Sequence, residues 1–353
     1  MTILYIFYAL LLIGLLITVH EFGHFIAARL TGIAVKEFAI GFGPKLFQWK
    51  SKKHGTLFML RAIPAGGYCM FYGDTDDDPQ GLTQEDPRSY SNTAVWKRML
   101  SVFCGPLMNF IAAFLVAILV QGFYGVMPTQ PFIQAVEANS PAALGGIQEG
   151  DVFLRVNGQD MQDATPADIV QAFDALADSP SVSLTMLRNG EEVPLSVSPV
   201  FNEAANRKLM GIIISGLTKL SPDLIIPSAW NTCVYDGTAI LDSLGKLVTT
   251  GEGFDQTAGP VGMIQLVAEE TRKGGLETFL SLLALLSINL GLLNLFPIPG
   301  LDGSRLVFML IEGIRKKPIS QRIEAYVHIT GFALLIGLML FFTFNDFSRI
   351  FGF

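Results

Sequence analysis

The chain has 353 residues, 50% of them hydrophobic and only 16% charged, with a mean hydropathy of +0.45. Soluble domains carry about 25% charged residues, so the composition excludes one large soluble enzyme and calls for membrane spans. The net charge of −7 argues against nucleic acid as a partner, and the scattered Cys69, Cys104 and Cys233 form neither a disulfide framework nor a metal pair.

The first predicted element is an apolar helix over Ile3–Leu30. No Lys or Arg precedes its apolar run and no small-x-small cleavage site follows, so it reads as a retained span and not a signal peptide. Inside it lies His20-Glu21-Phe22-Gly23-His24. Ionisable groups cost several kcal/mol in hydrocarbon and mark function there. H-E-x-x-H sets two imidazoles at i and i+4 on one helix face with a carboxylate beside them. Catalytic zinc takes three protein ligands and keeps a fourth position open. His20 and His24 supply two of them, and Glu21 is placed to move the proton of an attacking water. Helix-bundle glue is the competing reading, but that role usually falls to Ser, Thr or Asn.

The next segment is basic and β-like. Gly41-Phe42-Gly43-Pro44 and Pro64-Ala65-Gly66-Gly67-Tyr68 punctuate short apolar runs that read as hairpins dipping toward the membrane. Asp74–Asp78 reads as a solvated acidic turn. A second span follows at Met99–Tyr124, with Asn109 expected to hold helices together. Region 130–200 then reads as a small α+β module. It has a helix at Ala167–Ala177, strands at Ser181–Arg188 and Glu192–Val197, and the hairpin dipeptide Asn189-Gly190 between them. Its Ser140-Pro141-Ala142 and Gly150-Asp151-Val152-Phe153-Leu154-Arg155-Val156-Asn157-Gly158 resemble bacterial PDZ domains, which bind extended peptides at a sheet edge.

Trp230, Val234, Ile240, Leu241, Leu244, Leu247 and Val248 recur at near-helical spacing. This predicts an amphipathic helix, either on the outer membrane face or against the α+β module. A third span at Thr278–Leu295 runs into Phe296-Pro297-Ile298-Pro299, where prolines forbid a continuous helix. Broken backbone at membrane depth is tolerated only against protein or a wet cavity. Asp302, the one carboxylate at that break, is assigned as third ligand. Its rivals Glu312 and Glu324 sit among basic residues. Asn294, one turn before the break, is a hydrogen-bond donor to substrate or a packing residue. Ala325–Phe342 is the fourth span.

The expected fold is thus a polytopic α-helical membrane protein with four transmembrane helices, a cytosolic-side membrane-dipping β-hairpin region and one inserted extracytoplasmic PDZ-like domain. Its divisions are 1–124, the PDZ-like domain at 125–205, a linker at 206–277 and a second membrane half at 278–353. Lys and Arg crowd residues 36–98 and 305–322 and are missing from 125–150. The positive-inside rule puts the first two segments in the cytoplasm and both termini outside.

Taken together these motifs resemble the bacterial site-2 proteases, in particular the sigma-E regulator proteases among them. The resemblance rests on His20–His24, Gly105-Pro106-Leu107-Met108-Asn109, Gly259-Pro260-Val261-Gly262 and Asn294-Leu295-Phe296-Pro297-Ile298-Pro299-Gly300-Leu301-Asp302-Gly303. It implies a zinc endopeptidase of the bacterial inner membrane. His20, His24 and Asp302 would bind Zn2+, Glu21 would be the acid/base, and Asn294, Gly66, Gly67 and Tyr68 would hold substrate. It further implies single-span substrates, such as anti-sigma factors or signal-peptide remnants, first shortened by an upstream site-1-type protease, with membrane lipid as the other partner. One PDZ-like unit stands where the best-studied members have two, and Ser304 replaces a frequent glycine. The competing class is a catalytically dead, PDZ-type membrane adaptor; an intact Glu21 weighs against it.

Overall fold

A computed structural model describes residues 3–351, apart from 74–85, 126–130, 162–163, 165, 176–178, 189, 203–206, 215–221, 255–256 and 318. The acidic run Asp74–Asp78 and the turn residue Asn189 therefore lie outside the described residues. Two compact units emerge, one of residues 1–120 with 226–353 and one of Gln121–Ile225.

The larger unit is helical. It contains α1 (Ile3–Thr31), α2 (Val95–Tyr124), α5 (Pro222–Thr250), α6 (Pro260–Leu295), α7 (Asp302–Arg315) and α8 (Gln321–Phe351), of which α2 and α5 cross its boundaries. Four stretches are long and apolar enough to span a bilayer: Leu4–Thr31, Val95–Tyr124, Pro260–Leu295 and Ile323–Arg349. The protein is a multi-pass membrane protein, and its outward apolar side chains, such as Phe7, Leu115, Phe332 and Leu340, are exposed because lipid is their solvent. Leu12 and Leu16 of α1 pack on Val267 and Leu283 of α6.

Helix α6 is longer than the expected third span. At 1.5 Å per residue its 36 residues would stretch about 54 Å if straight, against roughly 30 Å of hydrocarbon. It does not run straight, because Gly275 turns to φ 66° and divides it. Only glycine takes that conformation freely. The apolar second half matches the expected span, and the charged stretch Glu269–Lys273 falls in the first.

Between α1 and α2 lies one curled antiparallel hairpin, β1 (Val35–Lys50) and β2 (Leu57–Phe71). Glu37–Ile40 have register partners on both sides, Leu57–Leu60 and Gly67–Met70, and Lys45–Lys50 pair with Leu57–Arg61. The strands bend where the sequence places Gly41 and Gly43, both at positive φ, and again at Gly66. The segment Val35–Ile40, which carries no turn signal of its own, is the buried centre of this sheet.

The amphipathic helix settles as α5. Its Cys233 and Ile240 pack with Ala113 of α2 and with Ala284 and Ile288 of α6, and Trp230 meets Phe114 edge-on. This face therefore belongs to the membrane helices, not to the α+β module.

The smaller unit has an apolar core of Ile133, Phe153, Val156, Ile169, Leu184, Met186 and Val197. Strands β5 (Gln159–Asp160), β4 (Val152–Val156), β6 (Val182–Arg188) and β7 (Glu191–Val197) form one sheet in that order. β3 (Ile133–Val136) pairs with β10 (Ile212–Ile214), and β8 (Val200–Asn202) with β9 (Arg207–Leu209). Short helices α3 (Pro141–Leu144) and α4 (Pro166–Ala175) complete it. Buried Asp151 accepts from Arg188 at 2.6 Å and from the Gln148 backbone N–H at 2.9 Å, which ties the β4 entry to β6.

Candidate metal centre

The site is built on α1, where His20 and His24 project from one face one turn apart and are 7% and 8% exposed. Helix α2 approaches that face at very short range. A Cβ on Gly23 would lie 2.0 Å from the Cys104 carbonyl oxygen, and one on Gly105 would lie 2.2 Å from His24 Cε1. Small residues are what let two membrane helices close to this distance. Pro106 follows directly inside α2.

Asp302 arrives from the other side. Helix α6 ends at Leu295, the two-proline turn carries the chain round, and Asp302 opens α7. Gly303 is wedged behind it, since a Cβ there would meet the Leu295 and Phe296 carbonyl oxygens at 2.3 and 2.2 Å. Ser304 is buried and donates to the Leu301 carbonyl at 2.7 Å, so it stitches the turn and leaves the carboxylate alone.

The donor atoms converge. His20 Nε2 lies 2.9 Å and His24 Nε2 3.3 Å from Asp302 Oδ2, and the two imidazole nitrogens are 3.2 Å apart. Donors about 2.0–2.1 Å from a tetrahedral zinc stand about 3.3 Å from one another, so the three atoms form one face of such a tetrahedron. Oδ2 is buried and takes no well-directed hydrogen bond despite these neighbours. Two imidazoles and a carboxylate are also the donor set that zinc accepts. The residues present therefore fit the metal.

Glu21 and the two histidines offer ligand atoms within 4.8 Å of one another. A cavity of about 250 Å³ opens here, lined by Ile17, His20, Glu21, His24, Leu290, Asn294, Gly300, Leu301 and Asp302. The structure thus brings Asn294 into the same chamber as the metal ligands and the candidate base. The rivals for third ligand are elsewhere: Glu312 is paired with Arg98 at 2.6 Å and Glu324 lies 3.8 Å from His328.

The hairpin residues divide. β2 runs beside α1, where a Cβ on Gly67 would sit 3.6 Å from Glu21 Cγ and one on Gly14 2.3 Å from the Pro64 oxygen. Gly66 has φ 149°, and the Phe42 ring fills the space a side chain would need. Tyr68 turns away from the cavity. It donates to Glu37 at 3.0 Å and accepts from Arg61 at 2.9 Å, and burial together with its bond to Glu37 pushes the phenol above its ordinary range.

Two residues touch the histidines from α2: Ser101, which the sequence does not single out, and Asn109, for which it predicts another role. His24 Nδ1 lies 3.0 Å from the Ser101 carbonyl and His20 Nδ1 lies 3.2 Å from Asn109 Nδ2, both on α2. Asn109 was expected to serve as helix glue. Its backbone carbonyl does accept from Ser287 of α6 at 2.9 Å, but its side chain faces a ligand. The Gly105-to-Asn109 spacing was the available signal, since it places both residues on the α2 stretch opposite the H-E-x-x-H turn.

The smaller unit holds a second concavity, about 520 Å³, between α4 and β10, with Val170, Phe173, Met210, Ile212 and Ile214 in its walls and Glu137 and Asp174 among its lining. Among the described residues β10 has a single strand partner, β3.

Comparison with known proteins agrees with this chemistry. The family described as Peptidase family M50 matches residues 8–338. A protein of Agrobacterium fabrum, provisionally named a zinc metalloprotease, is 34% identical over 99% of this chain and 97% of its own length. The regulator of sigma-W protease RasP of Bacillus subtilis is 30% identical over 97% of this chain and 98% of its own. Among solved structures, the PDZ domain of the SdrC-like protein from Listeria innocua matches 26% of this chain and 99% of its own, at 14% identity and a TM-score of 0.23.

Proposed function

The chain belongs to peptidase family M50 and is a zinc metalloendopeptidase, and from that premise we propose that it cuts single-span membrane proteins within their transmembrane segments. The observation that carries this reading is the placement of His20, His24, Asp302 and Glu21 around one cavity between apolar helices.

His20, His24 and Asp302 hold the metal. Zinc, when bound, supplies a Lewis acid and lowers the pKa of its water to about 7. Glu21 takes the proton of the attacking water and returns it to the departing amide nitrogen. Asn294, across the cavity, donates to the substrate carbonyl as it gains charge. A helical substrate hides its peptide bonds in internal hydrogen bonds and must be unwound first. The β2 edge beside Glu21, at Gly66 and Gly67, offers the extended segment a strand to pair with. Ile17 and Leu290 supply apolar walls for its side chains.

The charge bias of the loops supports a hairpin on the cytoplasmic side of a bacterial inner membrane and a 121–225 unit outside it. That unit serves as a PDZ-like docking module. Its groove between α4 and β10, with apolar walls and an edge strand, suits an extended peptide. The turn that would receive a chain end is Met210-Gly211, between β9 and β10. Substrates are proteins already shortened outside by an upstream protease; the Bacillus subtilis relative is named a regulator of sigma-W protease, which fits a signalling role.

The test compares wild type with Glu21→Gln, both purified in detergent, for bound zinc and for cleavage of a trimmed single-span substrate. Both should hold stoichiometric zinc, with cleavage by the variant lower by about 10²–10⁴-fold. Equal cleavage by the two would remove Glu21 as base. Fully loaded wild type that leaves a panel of trimmed substrates intact would sink the intramembrane reading.

A further inference from the structure

A metal-binding imidazole uses one nitrogen as ligand, and its other nitrogen must carry the proton and find an acceptor. His24 has this arrangement ready, because its Nδ1 faces the Ser101 carbonyl at 3.0 Å, a group that only accepts. His20 has no such fixed acceptor. Its Nδ1 faces the Asn109 carboxamide, fully buried, with Nδ2 at 3.2 Å. In that setting Asn109 donates to Nδ1 and the imidazole proton sits on Nε2, the nitrogen that stands 2.9 Å from Asp302 Oδ2. That tautomer cannot bind a metal through Nε2.

The carboxamide has a second setting. Turned over, it presents Oδ1 to His20, accepts from Nδ1–H, and leaves Nε2 with a free lone pair. Asn109 Oδ1 has no other partner among the described residues. No donor at that end therefore holds the amide in the first setting. The Ser287 bond to the Asn109 carbonyl fixes the backbone while the side chain turns.

We propose that Asn109 is the positioning residue for His20: its carboxamide accepts from Nδ1–H and so turns the Nε2 lone pair toward the metal. This rests on the zinc reading above. An apolar residue at this position could not accept that proton.

The measurement is zinc affinity by competition with a chelator on the full-length protein in detergent, for wild type, Asn109→Leu, Asn109→Asp and Asp302→Ala. Asn109→Leu strands a buried Nδ1–H and should bind zinc about 10–100-fold more weakly. Asn109→Asp, a pure acceptor of the same shape, should stay within about threefold of wild type by the same reasoning. Leu at wild-type affinity overturns the proposal, and so does Asp weakened as much as Leu, which would reduce Asn109 to packing. If the Leu variant is not recovered as a monodisperse protein, Asn109→Ala takes its place with the same expectation. Asp302→Ala separates the two levels. If it keeps wild-type zinc, the metal centre itself is misassigned. If it loses zinc while Asn109→Leu keeps it, only the positioning role fails.

Discussion

Helix α1 and the α6–α7 junction bring ligands to the same point by opposite means. In α1 the backbone is continuous, every ligand direction follows from helical spacing, and four residues of sequence set the His20–His24 geometry. At the junction the helix stops, two prolines turn the chain, and Asp302 is set by what is wedged behind it. The first device is local and stiff. The second is non-local and depends on glycine fitting against two carbonyl oxygens. A broken helix costs backbone hydrogen bonds in lipid, yet it lets a carboxylate face a cavity that no outward-pointing residue on an intact span reaches.

That contrast can be broken at several strengths. His24→Ala deletes a ligand outright and should reduce zinc affinity by more than the roughly 100-fold typical of outer contacts, with cleavage gone; zinc analysis of the purified protein decides it. Gly303→Ala and Gly105→Ala come next. Each forces a Cβ into occupied space and should cost about 1–3 kcal/mol. Gly303→Ala presses on backbone, so thermal stability and zinc affinity should fall together. Gly105→Ala presses on the edge of the His24 ring, so zinc affinity should fall more than the melting temperature does. The same ranking for both variants would erase the distinction between the two devices. Asp151→Asn, in the other unit, removes a charged partner from Arg188 and should destabilise that unit by about 1–3 kcal/mol. It should speed limited proteolysis within 121–225 and leave zinc untouched. The smallest effect belongs to Ser304→Ala, which loses one hydrogen bond of about 1 kcal/mol and should leave zinc affinity unchanged.

How much was legible in the sequence follows the same division. The α1 ligands could be read directly, because helix periodicity is local and histidines in an apolar run have few alternative uses. Asp302 could be read because proline breaks are also local. The β6–β7 hairpin of the smaller unit showed itself through alternation and a turn dipeptide. The central strand Val35–Ile40 did not, since a segment paired on both sides loses the alternation that marks a half-buried strand. The α5 packing face and the Asn109 and Ser101 contacts were invisible for another reason. They exist only once α2 lies against α1 and α6, and a backbone carbonyl such as that of Ser101 leaves no trace in residue type. For α7, the apolar run Leu306–Ile311 is short and flanked by Arg305, Arg315, Lys316 and Lys317, so the link reads as a basic loop.

One contact far from the metal bears on it. Near one end of α8, Asp346 accepts from the backbone N–H groups of Gly259 and Gly262 at 3.0 and 2.7 Å and so closes the start of α6. Near the other end, the Gly300 N–H donates to His328 Nδ1 at 3.3 Å, and Gly331 lies flat on Pro299. Little else of this span is buried. Mechanically, α8 is a beam on two bearings, one at the head of α6 and the other on the turn that carries Asp302. Load applied to its exposed middle is delivered to those two points, and one of them is two residues from Asp302, the proposed third ligand.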